Sequence, residues 1–271
     1  MKAKAVLLNL AVAVIALIVL FPLVWMLSVS FMPTGEAATF PPPLVPSRFT
    51  LEHYRDLFLN QGMGRYVLNS LILATLATIL ALLFTAPAGY AFAKLRFRGR
   101  ERLFQVLVAA LVVPAQIGTL PLFLMLKSMG LVNTYAGALV PWLASIFGLF
   151  LVRQYALSIP DEMLEAARVD GASEGQIFRR VVLPTLQPIV VTLGLFVFLG
   201  SWNDFLWPLI VLTDQSNYTL PVALAALSRE HVQDVELMMA GAVVTVAPVL
   251  ILFLALQRYY IRGMLAGSVK G

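Results

Sequence analysis

The chain of 271 residues is 60% hydrophobic and only 12% charged, against roughly 25% charged residues in an average soluble domain, which excludes a soluble globular domain and describes an integral membrane protein. Cysteine is absent, so disulfide frameworks, thiolate metal sites and Cys nucleophiles are excluded, and the two histidines, His53 and His231, stand too far apart in sequence to suggest a metal cluster. The net charge of +5 matters less than where the basic residues fall between the apolar runs.

A membrane-spanning helix needs about 20 mostly apolar residues, and six segments reach that length: 5–31, 66–93, 103–126, 134–152, 184–212 and 239–257. The expected fold is therefore all-α, a single transmembrane domain of six helices over residues 1–271. The first span follows Lys2 and Lys4 as a signal peptide would. Its apolar run is about twice the usual 7–15-residue signal core, however, and no small-x-small site closes it, so it is expected to remain as a span. Between spans one and two, "FPPPLVPSRF" must run extended, because proline fixes φ and excludes the right-handed helical region before it. Thr50 is then placed to cap a short helix carrying Leu51, Tyr54, Leu57 and Phe58 on one face, turned either onto the bundle or toward an external partner. After span two, "KLRFRGRER" at 94–102 reads as a short basic loop that anchors two spans by charge, or as a site for an anionic lipid. Pro22, Pro87, Pro114, Pro121, Pro141, Pro188, Pro208 and Pro248 lie within spans. Each removes a backbone donor and invites a kink, which is tolerated where a neighbouring helix or polar cavity satisfies the freed carbonyl.

Charge sorting sets the orientation, because Lys and Arg accumulate on the cytoplasmic side. With the N-terminus inside, fourteen of the 19 basic residues fall inside: Lys2, Lys4, Lys94, Arg96, Arg98, Arg100, Arg102, Arg153, Arg168, Arg179, Arg180, Arg258, Arg262 and Lys270. Arg48, Arg55, Arg65, Lys127 and Arg229 are left outside. Both termini are expected in the cytoplasm.

Residues 153–183, between spans four and five, then form a cytoplasmic loop too long for a plain connection, which typically takes about 2–8 residues. "SIPDEMLEAARVDG" predicts a helix with Ser158 as cap and Pro160, Asp161 and Glu162 in its first turn, closed by Gly171 in the left-handed conformation. "SEGQIFRRVVLP" predicts a second helix, opened by a Ser173–Gln176 capping box and leading at Pro184 into span five. A recognition helix this near a membrane could hardly reach a DNA groove, so the helix–turn–helix does not indicate nucleic acid.

Glu165-Ala166-Ala167, three residues, Gly171, nine residues, then Val181, Leu183 and Pro184 resemble the EAA motif of importer-type ABC transporter permeases, whose pattern is E-A-A, three residues, G, nine residues, I-x-L-P. Val181 stands where that pattern has Ile. The resemblance extends over nearly the whole chain and is similar to the sugar-importing, maltose-type branch in "FPPPLVPSRFTLEHYRDLF" at 40–58, "SWNDFLWPLIVLT" at 201–213 and "QRYYIRGMLAGSVKG" at 257–271. It implies a bacterial-type inner-membrane permease forming half of a pore, with a second permease subunit, two cytoplasmic ATPase subunits and an external solute-binding protein as partners. It also implies that the loop docks into the ATPase. Glu165, Ala166, Ala167, Asp170 and Gly171 would carry the contact and the turn, and ATP and Mg would be held by the partner rather than by this chain.

The absence of other motifs agrees with a transporter. No G-x-x-x-x-G-K-[ST] phosphate loop, H-E-x-x-H or G-x-S-x-G occurs, so the chain is not expected to be an enzyme, to hydrolyse ATP itself or to need a cofactor. Gln116, Trp202, Asn203 and Asp204 place polar and aromatic groups at membrane depth, suited to a sugar pathway. Asp204 could equally brace a kink before Pro208 or pair with the second permease. An ion-gradient-driven secondary transporter is the alternative class; it would need more buried ionisable residues and internal repeats than are seen here.

Overall fold

Apolar runs in a bilayer must satisfy their backbone amides within the segment, and here they do so as helices. The computed structural model describes the backbone of residues 2–230 and 234–268 and the side chains of residues 6–228 and 234–255. His231 and Lys270 lie outside the described residues, as do the side chains of Lys2, Lys4, Arg229, Arg258 and Arg262. The chain opens with α1 (Lys2–Val29), α2 (Glu52–Leu59) and α3 (Met63–Lys94). Then come α4 (Arg100–Ala110), α5 (Thr119–Ser128), α6 (Tyr135–Leu139) and α7 (Ile146–Leu157). The charged loop contributes α8 (Asp161–Val169), α9 (Glu174–Ile177) and α10 (Leu183–Thr185), followed by α11 (Gln187–Trp202) and α12 (Leu206–Val211). The last two are α13 (Leu220–Glu230) and α14 (Val235–Ser268). Among the described residues, α1, α3 and α14 are each long and apolar enough to cross a membrane, and the number reaches six if each of three bent helix pairs is one span.

One compact unit comprises residues 1–67 and 220–251. The most apolar stretch of α1 is wholly unburied within the chain, as expected of a helix surrounded by lipid or another subunit. The proline-rich segment is folded back by specific bonds: Glu36 Oε1 accepts from Ser47 N–H at 2.8 Å, and Glu236 Oε1, at the start of α14, accepts from Ala37 N–H at 2.8 Å. Leu51, not Thr50, occupies the capping position of α2, although Thr50 Oγ1 still accepts from Glu52 N–H at 3.2 Å. Of the face expected on this helix only Leu57 is fully buried. It is joined by His53, whose ring bonds the Met32 carbonyl at 2.9 Å, while Leu51 and Phe58 remain exposed.

The other unit comprises residues 68–219 and 252–271. Its core runs from Leu73, Ala77 and Ala81 of α3 through Leu126, Val152, Ile177 and Leu193 to Val211. Glycine lets helices approach closely here. A Cβ at Gly89 of α3 would lie 2.5 Å from Val152 Cγ1 of α7, and one at Gly200 of α11 would lie 2.8 Å from Trp142.

Three of the expected spans are bent pairs rather than single helices. Over 103–126, α4 and the helical segment Ala115–Ser128 meet at 94°, because Pro114 has no N–H to continue the ladder and disfavours helix at Val113. Over 134–152, the two halves meet at 44°; Ser145 restarts the helix by accepting from Gly148 N–H at 2.9 Å. At the entry of span five, expected over 184–212, the helix ending at Thr185 and the one starting at Gln187 meet at 79°, where Pro188 cannot donate to the carbonyl of Pro184. Span five itself stops at Trp202 and resumes at Leu206. By contrast, α1, α3 and α14 run unbroken through Pro22, Pro87 and Pro248.

Gly89→Ala should lower the thermal unfolding midpoint of the detergent-solubilised protein, since overpacking a tight crossing costs about 1–3 kcal/mol. Gly118→Ala, where the new atom meets nothing within 4 Å, should not. Equal midpoints for the two variants would contradict the close α3–α7 approach.

Candidate coupling and translocation sites

The charged loop is built differently at its start from what the sequence suggested. Ser158 closes α7, its Oγ donating to the Tyr155 carbonyl at 2.7 Å, and Pro160 occupies the capping position of α8 without a side-chain cap. Serine there is captured by the helix that ends, so the first turn of α8 relies on Asp161 and Glu162 against the helix dipole. The far end matches expectation. Gly171 adopts φ +82°, and Ala172 N–H returns to the Ala167 carbonyl at 3.0 Å, closing α8 with a left-handed glycine. The capping box then forms, Gln176 Oε1 accepting from Ser173 N–H at 2.8 Å. Beyond α9 the chain takes one π-helical turn, Phe178–Val182, before α10.

Leu164, Ile177 and Val182 are buried beneath the loop. Glu165, Ala166, Asp170 and Gly171 are exposed, together with Met163 and with Val169 at 87% exposure. Ala167 and Val181 pack against the core, Leu183 is half-buried and Pro184 is exposed. The motif therefore divides into an outward part around the turn and an inward part that seats the second helix.

Two clamps that the motif does not contain hold this loop to the end of α3. Glu174 takes Arg168 Nε–H on Oε1 at 2.8 Å and the Tyr90 hydroxyl on Oε2 at 2.9 Å, so one carboxylate spans the Gly171 turn and reaches α3. Lys94, its side chain only 8% exposed, donates from Nζ to the Ile159 carbonyl at 2.6 Å and to Asp161 Oδ1 at 2.7 Å. Hydrogen bonding from Arg168 holds the Glu174 carboxyl below its ordinary 4.5, and the bond from Lys94 likewise lowers that of Asp161. Glu174 in turn raises Arg168.

A second feature is a cavity of about 570 Å³ lined by Gln116, Trp142, Gly200, Asp204, Leu206 and Trp207, among others. Asp204 Oδ1 accepts from Trp207 N–H at 3.4 Å, and Trp207 Nε1 donates to the Gly137 carbonyl at 3.2 Å. Of the four pathway residues singled out in the sequence, Gln116 and Asp204 meet at this cavity. Trp202 is fully buried and stacked on Phe198 at 6.0 Å, and Asn203 donates to the Leu199 carbonyl at 2.8 Å; neither lines the cavity. The aromatic walls are Trp142 and Trp207 instead. No grouping of three or more metal-ligating side chains exists among the described residues.

Residues 85–266 match the family described as binding-protein-dependent transport system inner membrane component. The chain belongs to this family. It is 37% identical over 268 residues, 98% of this chain and 96% of the relative, to the arabinooligosaccharides transport system permease protein AraQ of Halalkalibacterium halodurans. It is 35% identical over 259 residues, 94% of this chain and 84% of the relative, to the diacetylchitobiose uptake system permease protein NgcG of Streptomyces coelicolor. Its fold is similar to that of a bacterial ABC transporter involved in the import of the acidic polysaccharide alginate, with a TM-score of 0.85 over 96% of this chain and 97% of that chain, at 23% identity. The inner membrane component is a transport subunit, not an enzyme. The pairing of Arg168 with Glu174 across the turn was open to sequence reasoning as opposite charges flanking Gly171. The reach of Tyr90 and Lys94 to the loop was not, because the partners are far apart in the chain.

A carboxylate with a depressed folded-state pKa contributes stability that is complete above its unfolded value and is lost as pH falls through the lower folded value. A spin label at Gly175→Cys should therefore report unchanged loop order from about pH 8 to about pH 5, with loosening only below about 4.5. In Glu174→Gln the looser state should be present throughout. Loosening near neutral pH in the unsubstituted clamp would contradict the Glu174 assignment.

Proposed function

We propose that this permease component forms one half of the translocation pathway of an ABC importer for a carbohydrate or related polyol-like solute, in a bacterial inner membrane with both termini cytoplasmic. The loop at 153–183 docks on a separate ATPase, which holds ATP and Mg. A second permease completes the pore, and an external solute-binding protein delivers the solute. The observation that carries this reading is the division of the loop: Glu165, Ala166, Asp170 and Gly171 face outward beside exposed Met163 and Val169, while Leu164, Ile177 and Val182 fix it from below. Small residues at 166 and 171 permit close approach of a partner surface, the apolar pair offers area to bury, and the two carboxylates select basic or backbone donors.

The cavity supports a sugar as cargo. Trp142 and Trp207 offer faces on which the C–H surfaces of a sugar ring can lie, and Gln116 with Asp204 offers hydrogen-bond partners for hydroxyls. A carboxylate at membrane depth costs at least about 2.5–3.5 kcal/mol on insertion scales, so it is retained where it faces a polar space. The relatives' names, arabinooligosaccharides and diacetylchitobiose, point to the same solute class.

The coupling role is tested by co-purification with the ATPase and by uptake in cells. Glu165→Lys should reduce recovered ATPase about tenfold, the scale of setting a wrong charge in an interface. Gly171→Val should leave the spans inserted but abolish most uptake, because a β-branched residue at φ +82° costs about 1–2 kcal/mol or redirects the second helix. Normal uptake by both variants at normal expression would contradict the role. Separately, Trp142→Ala and Asp204→Asn should each raise the substrate concentration for half-maximal uptake while ATPase recovery is unchanged; loss of assembly in both would assign the cavity to structure.

A further inference from the structure

The helix that holds the loop is also held at its other end. Asn69, 3% exposed, donates from Nδ2 to the carbonyls of Ser216 at 3.0 Å and Tyr218 at 2.9 Å, and its Oδ1 accepts from the Tyr135 hydroxyl at 2.6 Å. The segment it grips is itself organised by Asn133. In the left-handed conformation at φ 60°, Asn133 turns Oδ1 to accept from the N–H groups of Thr213 and Asp214, each at 3.0 Å. Asn69 and Tyr90 are about 31 Å apart along a helix rising 1.5 Å per residue, which matches the roughly 30 Å thickness of the hydrocarbon layer. Between them α3 is unbroken and buries Leu73, Ala77 and Ala81 in the core. The spans that bend lie elsewhere: α4 with α5, the halves of span four, and the entry to α11.

We propose that α3 is the transmission element of this subunit, with Tyr90 and Lys94 as positioning residues that carry displacement of the coupling loop to the segment 213–218 through Asn69. This rests on the coupling role proposed above. An unbroken helix transmits a shift at one end to the other, whereas a pair bent by 94° or 79° absorbs it in the bend. The clamps couple the loop to one end of α3, and Asn69 couples the other end to the segment 213–218. Asp161 opens α8 and is bonded to Lys94, and Arg168 near the other end of α8 is bonded to Glu174, which is bonded to Tyr90, so a tilt of α8 pulls on Lys94 and Tyr90. The three hydrogen bonds of Asn69 go to the segment 213–218 and to Tyr135, two residues after Asn133.

The test uses the assembled transporter with its ATPase, reconstituted in lipid, and two reporters introduced separately into this cysteine-free chain. Gly175→Cys reports the loop and Gln215→Cys, exposed, reports the far segment; thiol labelling rates are compared without nucleotide and with ATP trapped by vanadate. Both rates should respond in the parent protein. In Tyr90→Phe, which removes only the hydroxyl, and in Lys94→Met, the response at Gly175→Cys should persist. The response at Gln215→Cys should shrink by about threefold or more, the population effect of losing hydrogen bonds of ordinary net strength. Lys94→Arg, which keeps the charge, should recover part of it. An undiminished far response in Tyr90→Phe and Lys94→Met, with the loop still responding, would overturn the transmission role alone. A loop reporter that ignores trapped ATP in the parent would overturn the coupling reading itself and the inference with it.

Discussion

The arrangement of the charged loop depends on one carboxylate with two donors on different elements. Glu174 sits just past a glycine turn, so bonding Arg168 with one oxygen closes the turn, and bonding Tyr90 with the other fixes the closed turn to α3. Each bond taken singly is modest, because Arg168 and Glu174 are both well exposed and exposed ion pairs contribute about 0–1 kcal/mol. The arrangement gains from its surroundings. Phe178 packs on the Tyr90 ring at 5.7 Å, and Lys94 holds the loop's first helix from the same end of α3. Rigid internal seating leaves the outward residues of the motif free for a partner.

A second constraint shapes the cavity. A helix broken at membrane depth frees backbone groups that lipid cannot satisfy, so breaks persist only where protein or water covers them. The breaks before Ala115, around Leu143–Ser145 and at Asn203–Phe205 all adjoin residues that line the same cavity: Gln116, Trp142 and Asp204. Irregular backbone and polar side chains thus collect at one place, where a solute pathway would need them, while α1, α3 and α14 are continuous. On the proposed reading, the same division separates the parts that contact cargo from the part that transmits motion.

How much of this was legible in the sequence follows from the range of each interaction. The Gly171 turn and the Ser173–Gln176 box rest on neighbours within a few residues and form where those signals put them, whereas of the six expected spans three are single helices among the described residues and the count reaches six only if each bent pair is one span. Ser158 was misassigned because two helices compete for it across Pro160, and the ending helix took it. Pro114 marked a bend correctly, but Pro22, Pro87 and Pro248 are passed without a break, since a proline only permits a kink and packing decides whether one forms. In "SWNDFLWP" the polar and aromatic types were visible while their facing was not. The helix ends at Trp202, so Asp204 turns into the cavity and Trp202 into the core. Trp142 completes the wall from a distant segment, and no local pattern reports that.

The central claim is that the coupling loop and the end of α3 move as one body. Spin labels at Phe84→Cys and Gly175→Cys, placed together in this chain and measured as a distance in the assembled, lipid-reconstituted transporter, test it most directly. The account predicts one distance that stays the same when ATP is bound and trapped, even as the thiol labelling rate at Gly175→Cys alone changes. A distance between α3 and the loop that shifts or splits on ATP binding would show the loop moving over a stationary helix, and would contradict the account.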